Sequence, residues 1–235
     1  LNDIKNSFQQ FVDRLPSGGM LLCHESEFVY LNTNNKVLAD VYASSDIDLS
    51  VPGEHNRSNA QLVVALGNVL KLNNEKVREG LKSFKGTWRR QEYKGVHWGM
   101  ECYDDYAHHP SEIAATLQAF RELVKAKSVV EVASENKIIA VFMPHLYSRT
   151  KLLLKEFGAC FQDADEVILL PIYAAREAKD ENISSEILAE EIKSHGKSVI
   201  VIESIDKFKT YISDRENSNS MLITMGAGDI YKVYE

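Results

Sequence analysis

The sequence has few cysteines and lacks a long apolar run. Its three cysteines, Cys23, Cys102 and Cys160, are widely spaced and form neither a CxxC pair nor a His–Cys cluster of the metal-binding type. They therefore predict reduced thiols, as in the cytoplasm. No apolar run approaches the ~20 residues that cross a bilayer, and the polar stretch LNDIKNSFQQF at the start is unlike a signal peptide. The expectation is a cytoplasmic protein without a membrane segment.

The sequence also has fewer basic than acidic residues, 27 Lys and Arg against 34 Asp and Glu. The formal net charge of the 235 residues is -7, and the pI is near 5.6. Binding to nucleic acid or to an anionic membrane favours a surplus of Lys and Arg on one face, so neither partner is expected. With 44% apolar residues the chain has enough material for a globular core. Any phosphate that it binds must be held by local groups.

Several well-known site motifs are missing from the sequence. It contains no GxxxxGK[ST] phosphate loop, GxSxG elbow, HExxH pair or EF-hand loop, and no metal site is expected. Gly226-Ala227-Gly228-Asp229 follows an apolar run but lacks the third glycine of a dinucleotide fingerprint. A tight strand-to-helix turn is the better interpretation of these four residues.

Apolar runs and amphipathic helices alternate beyond Arg90. The predicted strands are Val96–Tyr103, Lys137–Phe142, Glu166–Leu170, Ser198–Glu203 and Met221–Met225. The predicted helices are Ser111–Val124, Ser148–Phe157, Ser184–Ser194 and Ile205–Ile212, with Gly158 and Gly196 just past helix ends. This alternation predicts an α/β fold with a mostly parallel, doubly wound sheet.

The first 88 residues are less regular. They predict a helix over Ile4–Leu15, weak strands around Met20–Cys23 and Phe28–Leu31, a helix from Ser58 onward, and a helix over Glu75–Phe84 after the capping pair Asn73-Asn74. Lys85-Gly86-Thr87 is a plausible link between this part and the next.

Polar residues follow the predicted strands. Since open parallel sheets bind ligands outside the carboxyl ends of their strands, these residues are expected to share one edge. They include three of the seven histidines. The segments concerned are 104–109, 143–149, 171–173 and 226–229.

The segment Asp104–Pro110 brings carboxylates, a phenol and imidazoles to one strand-to-helix turn. Such a turn favours an anion, and imidazoles that titrate near neutral pH can bind phosphate. The alternative is that Asp104 or Asp105 caps the local backbone and that His109 caps the helix starting at Pro110. The residues alone do not decide between these two interpretations.

The remaining candidates also carry two interpretations each. Arg149 could clamp a carboxylate beside His145 or be a solvated charge in a first helical turn, where Ser148 is a possible N-cap. The amides and imidazole of 55–59 could contact a base, or Ser58 or Asn59 could cap a helix. Arg89-Arg90 could face phosphate or form a basic linker.

Six ordered motifs together resemble the Mur ligase family. They are PGEHNRSNA (52–60), FKGTWRR (84–90), DDYAHHPSEI (104–113), MPHLYSRT (143–150), DADEVILLPIYAARE (163–177) and GAGDI (226–230). The form of DDYAHHPSEI is similar to that of the members that add L-alanine. The resemblance implies that residues 1–88 are a remnant of a central ATP-binding α/β domain. It also implies that 89–235 are a Rossmann-like carboxyl-terminal ligase domain, and that the UDP-binding domain and the phosphate loop are absent.

The reaction implied by the resemblance joins L-alanine to UDP-N-acetylmuramate and uses ATP and Mg²⁺. The carboxylate of the sugar is phosphorylated, and the amine attacks the acyl phosphate. The negative charge of this reaction calls for cationic groups. Binding of ATP by this chain alone is doubtful without the phosphate loop, so the chain is expected to be inactive alone and to need the missing domains as partners.

The resemblance also implies roles for individual residues. His108 and Arg149 would be catalytic. The substrate-binding residues would be His108, His109, His145, Tyr147 and Arg149, and the nucleotide-binding residues would be His55, Asn56, Asn59, Arg90, Asp105 and Tyr106. Leu146 stands where many members have arginine, and Gln91 where many have an aromatic residue.

Two further hypotheses stay open. The chain could be a binding module that keeps part of the nucleotide or amino-acid site without chemistry. It could also be a fragment of a murein peptide ligase, which joins a tripeptide instead of L-alanine.

Overall fold

The computed structural model describes residues 2–24, 26, 31–33, 36–38, 47–128, 137–215 and 220–235. It divides into two compact units, Leu1–Lys85 and Gly86–Glu235, here called the amino-terminal and carboxyl-terminal units. None of the helices in these ranges has the length and apolarity that crossing a membrane requires.

The amino-terminal unit contains helices and a small parallel strand pair. Its elements are α1 (Asn2–Val12), β1 (Leu21–Cys23), β2 (Lys36–Leu38), α2 (Glu54–Val69) and α3 (Asn74–Ser83). The strand expected near Met20–Cys23 is confirmed as β1, whereas β2 was not predicted. The strand expected at Phe28–Leu31 lies outside the described residues, except for Leu31, which has no regular structure. A small core of Ile47, Ala60 and Val64 packs against Val77 and Leu81.

The start of α2 differs from the sequence prediction. The helix begins at Glu54, because Gly53 takes the positive φ of 101° that leads the chain into it. Ser58 and Asn59 therefore lie inside the helix, and the alternative that either residue caps it is wrong. The capping prediction for the next helix is confirmed, since the Asn73 side chain accepts a hydrogen bond from the Lys76 amide at 3.0 Å.

The carboxyl-terminal unit is built on a six-stranded, mostly parallel sheet. In chain order its strands are β3 (Glu92–His97), β4 (Met100–Asp105), β5 (Lys137–Phe142), β6 (Glu166–Leu169), β7 (Ser198–Val201) and β8 (Ser220–Met225). Their order across the sheet is β3-β4-β8-β5-β6-β7. All neighbouring pairs are parallel except the β3–β4 hairpin. The predicted α/β class with a mostly parallel sheet is thus confirmed.

Helices cover both faces of this sheet. They are α4 (Pro110–Ser128), α5 (Tyr147–Leu152), α6 (Leu154–Ala159), α7 (Ser185–Ser194), α8 (Ile205–Ser213) and a 3₁₀ helix at Asp229–Tyr234. Alternate residues of β5 enter two different cores: Ala140 and Phe142 pack in one, and Ile139 and Val141 in the other. A strand buried on both faces has a continuous apolar sequence, which is why β5 was predictable.

One predicted strand is wrong because it contains a turn. Val96–Tyr103 was expected to be a single strand, but it spans the end of β3 and the start of β4. Trp98 and Gly99 connect them with φ values of 51° and 76°. Two consecutive positive φ angles are typical of a two-residue hairpin turn. The pair Trp-Gly lacks the Asn or Asp that usually marks such a turn.

A second correction concerns the predicted helix Ser148–Phe157. The helix is divided at Leu153 into α5 and α6, and Gly158 lies within α6 rather than past its end. A Cβ atom at Gly158 would lie 2.6 Å from Cγ of Glu191, on α7. Glycine is therefore required here by the close packing of two helices, which a single sequence does not reveal.

Candidate functional site

The polar segments predicted to share one edge do leave the sheet together. Met225 at the end of β8 pairs in register with Asp105 of β4 and with Phe142 of β5. Phe142 in turn pairs with Leu169 of β6. The chain segments after these four strands therefore begin in one row, which we call the carboxyl edge.

A buried arginine holds two of these segments together. The guanidinium of Arg89, which is 2% exposed, donates from Nε to Asp104 Oδ2 at 2.7 Å. It also donates to the carbonyl oxygens of Gly226 and Gly228 at 2.5 and 3.0 Å. Thr224 Oγ1 donates to the second oxygen of Asp104 at 2.6 Å. Arg89 thus ties the turn after β8 to the end of β4.

Neither interpretation of Arg89 from the sequence is correct, because the residue is neither phosphate-facing nor part of a solvated linker. Its guanidinium carbon lies 5.1 Å from the ring centroid of Tyr106 and 4.8 Å from that of Tyr231. Arg90, by contrast, is exposed, and its guanidinium carbon lies 5.6 Å from the Tyr106 ring. Of the two arginines, Arg90 is the one accessible to a ligand.

Asp105 is buried and engaged with the backbone. One carboxylate oxygen accepts from the Ala107 amide at 2.7 Å, and the other accepts from the Gln91 amide at 2.9 Å. Burial raises the pKa of this carboxyl, and the two hydrogen bonds oppose the rise. This geometry fits the alternative in which Asp105 caps local backbone. Its contact with a nucleotide stays a prediction, as does that of the half-buried Tyr106.

The two neighbouring histidines, His108 and His109, have different surroundings. His108 is half-buried, its Nδ1 lies 2.8 Å from the carbonyl oxygen of Tyr106, and its ring centroid lies 6.0 Å from that of His145. His109 is exposed, and its Nδ1 lies 3.3 Å from the Ser111 amide at the start of α4. The structure therefore brings His108 and His145 together, whereas the contact of His109 with the Ser111 amide fits the helix-capping alternative.

His145 and Arg149 lie close together on either side of the start of α5. Arg149 Nη1 lies 3.4 Å from His145 Nδ1, and both side chains are half-buried. Burial lowers the pKa of His145, and the positive charge of Arg149 lowers it further. The neutral imidazole is thereby favoured next to a cationic guanidinium. His108, His145 and Arg149 are called the histidine–arginine group below.

The chain between His145 and Arg149 has an unusual backbone. Leu146 has φ 73° and ψ 130°, a conformation that favours glycine. Helix α5 begins directly after it at the half-buried Tyr147, so Ser148 is not the N-cap. The Ser148 amide and hydroxyl both donate to Glu177 instead. The sequence alone did not predict this contact between Ser148 and Glu177.

Three of the predicted nucleotide-binding residues belong to the amino-terminal unit. His55, Asn56 and Asn59 lie in the first turns of α2, where the side-chain amide of Asn56 donates to the Pro52 carbonyl at 2.6 Å. Asn59 is exposed. Their role in nucleotide binding stays a prediction. Within the described ranges, no group of three His, Cys, Asp or Glu residues is arranged to hold a metal ion.

Comparison with known proteins identifies the family. Residues 89–228 match the family model described as Mur ligase, glutamate ligase domain. The match extends over more than half of the chain and includes every strand at the carboxyl edge. The chain therefore belongs to the Mur ligase family.

Among curated proteins, the chain is similar to UDP-N-acetylmuramate–L-alanine ligases. The one from Lachnospira eligens is 38% identical over 268 residues, with 100% of this chain and 56% of the relative covered. The one from Clostridium beijerinckii is 39% identical over 211 residues, with 88% and 44% covered. The chain thus spans about half the length of the curated relatives it matches.

Solved structures show the same fold. The UDP-N-acetylmuramate–alanine ligase of Thermotoga maritima superimposes with a TM-score of 0.63 at 28% identity, covering 79% of this chain and 37% of that one. A murein peptide ligase from Psychrobacter arcticus gives a TM-score of 0.64 at 17% identity, covering 99% and 53%. At that identity, the second likeness supports the fold alone.

Proposed function

We propose that the chain is the carboxyl-terminal portion of an ATP-dependent, amide-forming ligase that adds L-alanine to UDP-N-acetylmuramate in cytoplasmic peptidoglycan synthesis. In this proposal residues 1–88 belong to the central ATP-binding domain, and 89–235 form the ligase domain. The observation that carries it is the histidine–arginine group, which lies at the carboxyl edge in a chain of the Mur ligase family. The names of the curated relatives support L-alanine as the amine.

The side chains of the histidine–arginine group can bind the carboxylates of L-alanine and UDP-N-acetylmuramate. A guanidinium can bind a carboxylate through two parallel hydrogen bonds, and Arg149 is half-buried, where such a bond is less screened by water. We assign Arg149 to the carboxylate of the incoming amino acid. The imidazoles of His108 and His145 lie beside it and can donate or accept hydrogen bonds at the reacting centre.

We infer that this chain supplies only part of the nucleotide-binding site. Arg90 and Tyr106 present an exposed guanidinium over an aromatic ring, which suits contact with a base or a phosphate. Among the described residues, no three His, Cys, Asp or Glu side chains are arranged to hold a metal ion by themselves, and nucleotide-bound magnesium is usually held by the phosphates and one or two carboxylates. The sequence also lacks the GxxxxGK[ST] loop that cradles the transferred phosphate. We therefore infer that these 235 residues alone form no product.

The experiment supplies, from a relative, the amino-terminal half that this chain does not cover. The chain is joined to the amino-terminal half of the Lachnospira eligens ligase, and phosphate release is measured with ATP, UDP-N-acetylmuramate and L-alanine, each omitted in turn. We expect release that requires all three substrates, and no release from the chain alone. A folded chimera that forms no amide, assayed beside an active parent enzyme, would contradict the proposal. Replacing L-alanine by a tripeptide tests the peptide-ligase alternative in the same assay.

A further inference from the structure

Tyr173 lies directly against His145. It follows β6, and its ring is stacked on the imidazole with a centroid distance of 5.7 Å and an interplanar angle of 15°. The backbones of the two residues form a parallel bridge. Around this bridge the Leu146 amide donates to the Tyr173 carbonyl at 2.9 Å, and the Tyr173 amide donates to the Pro144 carbonyl at 2.7 Å. Both the side chain and the backbone of Tyr173 therefore contact the segment that carries His145.

The tyrosine side chain also contacts the turn after β8. A Cβ atom at Gly228 would lie 2.7 Å from Cγ of Tyr173, so the ring occupies the space that a side chain at position 228 would need. Arg89 fixes this turn through the carbonyl oxygens of Gly226 and Gly228. The Tyr173 side chain, which is 36% exposed, thus contacts both this turn and the imidazole of His145.

The other neighbours of His145 approach its ring in different geometries. Arg149 approaches Nδ1 from α5, and His108 meets the imidazole edge to face from the segment after β4. Glu177, from the segment after β6, is negatively charged and partly offsets the lowering of the His145 pKa. Tyr173 is the neighbour that is parallel to the imidazole plane.

We propose that Tyr173 is a positioning residue of the site: its ring, backed by Gly228, sets the orientation of the His145 imidazole beside Arg149 and His108. The importance of this orientation for the reaction rests on the proposed function. Stacked aromatic pairs are favourable beyond the area that they bury, so this contact favours one orientation of the imidazole. Leu146, between His145 and α5, has a strained backbone, so the bridge to Tyr173 also stabilises the segment.

The first test needs no ligand. In isotope-labelled chain, the imidazole signal of His145 is assigned by its loss in His145→Gln. We expect a nuclear Overhauser contact between the rings of Tyr173 and His145, and an upfield imidazole signal caused by the stacked ring. Tyr173→Ala should move this signal downfield and raise the pKa of His145 toward its ordinary value, because the imidazole becomes more hydrated. Tyr173→Phe should keep both properties.

The second test uses the chimera. Tyr173→Ala is expected to raise the KM for L-alanine about tenfold, equivalent to about 1.4 kcal/mol, and Tyr173→Phe should restore it. A missing ring-to-ring contact in the unsubstituted chain, or a His145 signal unchanged by Tyr173→Ala, would overturn the positioning role. An unchanged KM would also overturn it. If Tyr173→Ala does not fold, Tyr173→Leu serves in its place, and the contact in the unsubstituted chain decides independently. If the chimera is inactive but the contact between the Tyr173 and His145 rings is observed, the proposed function is contradicted and the orientation of His145 by Tyr173 still stands.

Discussion

Arg89→Met is expected to lower the free energy of unfolding of the carboxyl-terminal unit by about 3–5 kcal/mol, because it leaves a buried carboxylate without its cation. Asp104 is fully buried and would keep the hydrogen bond from Thr224 and the more distant charge of Lys94. The carbonyl oxygens of Gly226 and Gly228 would also lose a donor. Since small domains are stable by about 5–15 kcal/mol, the loss is a large part of the total.

The chain offers a matched control and a suitable probe for this measurement. Arg90→Met removes the same charge from the next residue, which is exposed, and should change stability by less than about 0.5 kcal/mol. Both tryptophans of the chain, Trp88 and Trp98, belong to the carboxyl-terminal unit. Their fluorescence in urea therefore reports the unfolding of that unit. Equal midpoints for the two variants would show that Arg89 does not anchor the carboxyl edge.

Arg149→Ala in the chimera is expected to reduce kcat/KM for L-alanine about 100-fold or more. Truncating one partner of a buried, hydrogen-bonded charge pair costs about 2–5 kcal/mol, and the substrate carboxylate would lose its guanidinium. The substitution should leave the thermal unfolding of the chain nearly unchanged, because the hydrogen-bond contact of the Arg149 side chain among the described residues is a long one, 3.4 Å from His145 Nδ1. The assay is phosphate release at varied L-alanine concentration.

Lys151→Ala provides the control for this prediction. Lys151 lies in the same short helix, two residues further on, and forms a surface ion pair with Asp180 at 2.8 Å. Exposed ion pairs contribute little to stability, so this variant should keep the activity of the chimera. A similar loss in both variants would mean that the assay reports damage to α5 instead of the loss of a carboxylate contact.

The sequence predicted the position of the site better than its details. Buried parallel strands have continuous apolar runs, so β5 and β6 could be placed with little error. Because the carboxyl ends of such strands meet at one edge, the convergence of His108 and His145 followed from strand positions. This inference needed no knowledge of distances.

What the sequence did not predict depends on tertiary contacts. Arg89 stands in a run of charged and polar residues, and its burial depends on carbonyl groups about 137 positions away in the chain. The stacking of Tyr173 on His145 requires a backbone bridge between two loops that follow different strands. The start of α2 was missed because the glycine at 53 sets the helix boundary through its positive φ. Local patterns carry no signal for the first two features.

We expect the carboxyl edge of the six-stranded sheet to hold the reacting carboxylates. The most direct test is a crystal structure of the chimera with UDP-N-acetylmuramate and L-alanine bound. The alanine carboxylate is expected to lie within hydrogen-bonding distance of Arg149, with His108 and His145 beside the reacting groups. A structure in which both substrates are bound and neither approaches Arg149 or the two histidines would contradict it.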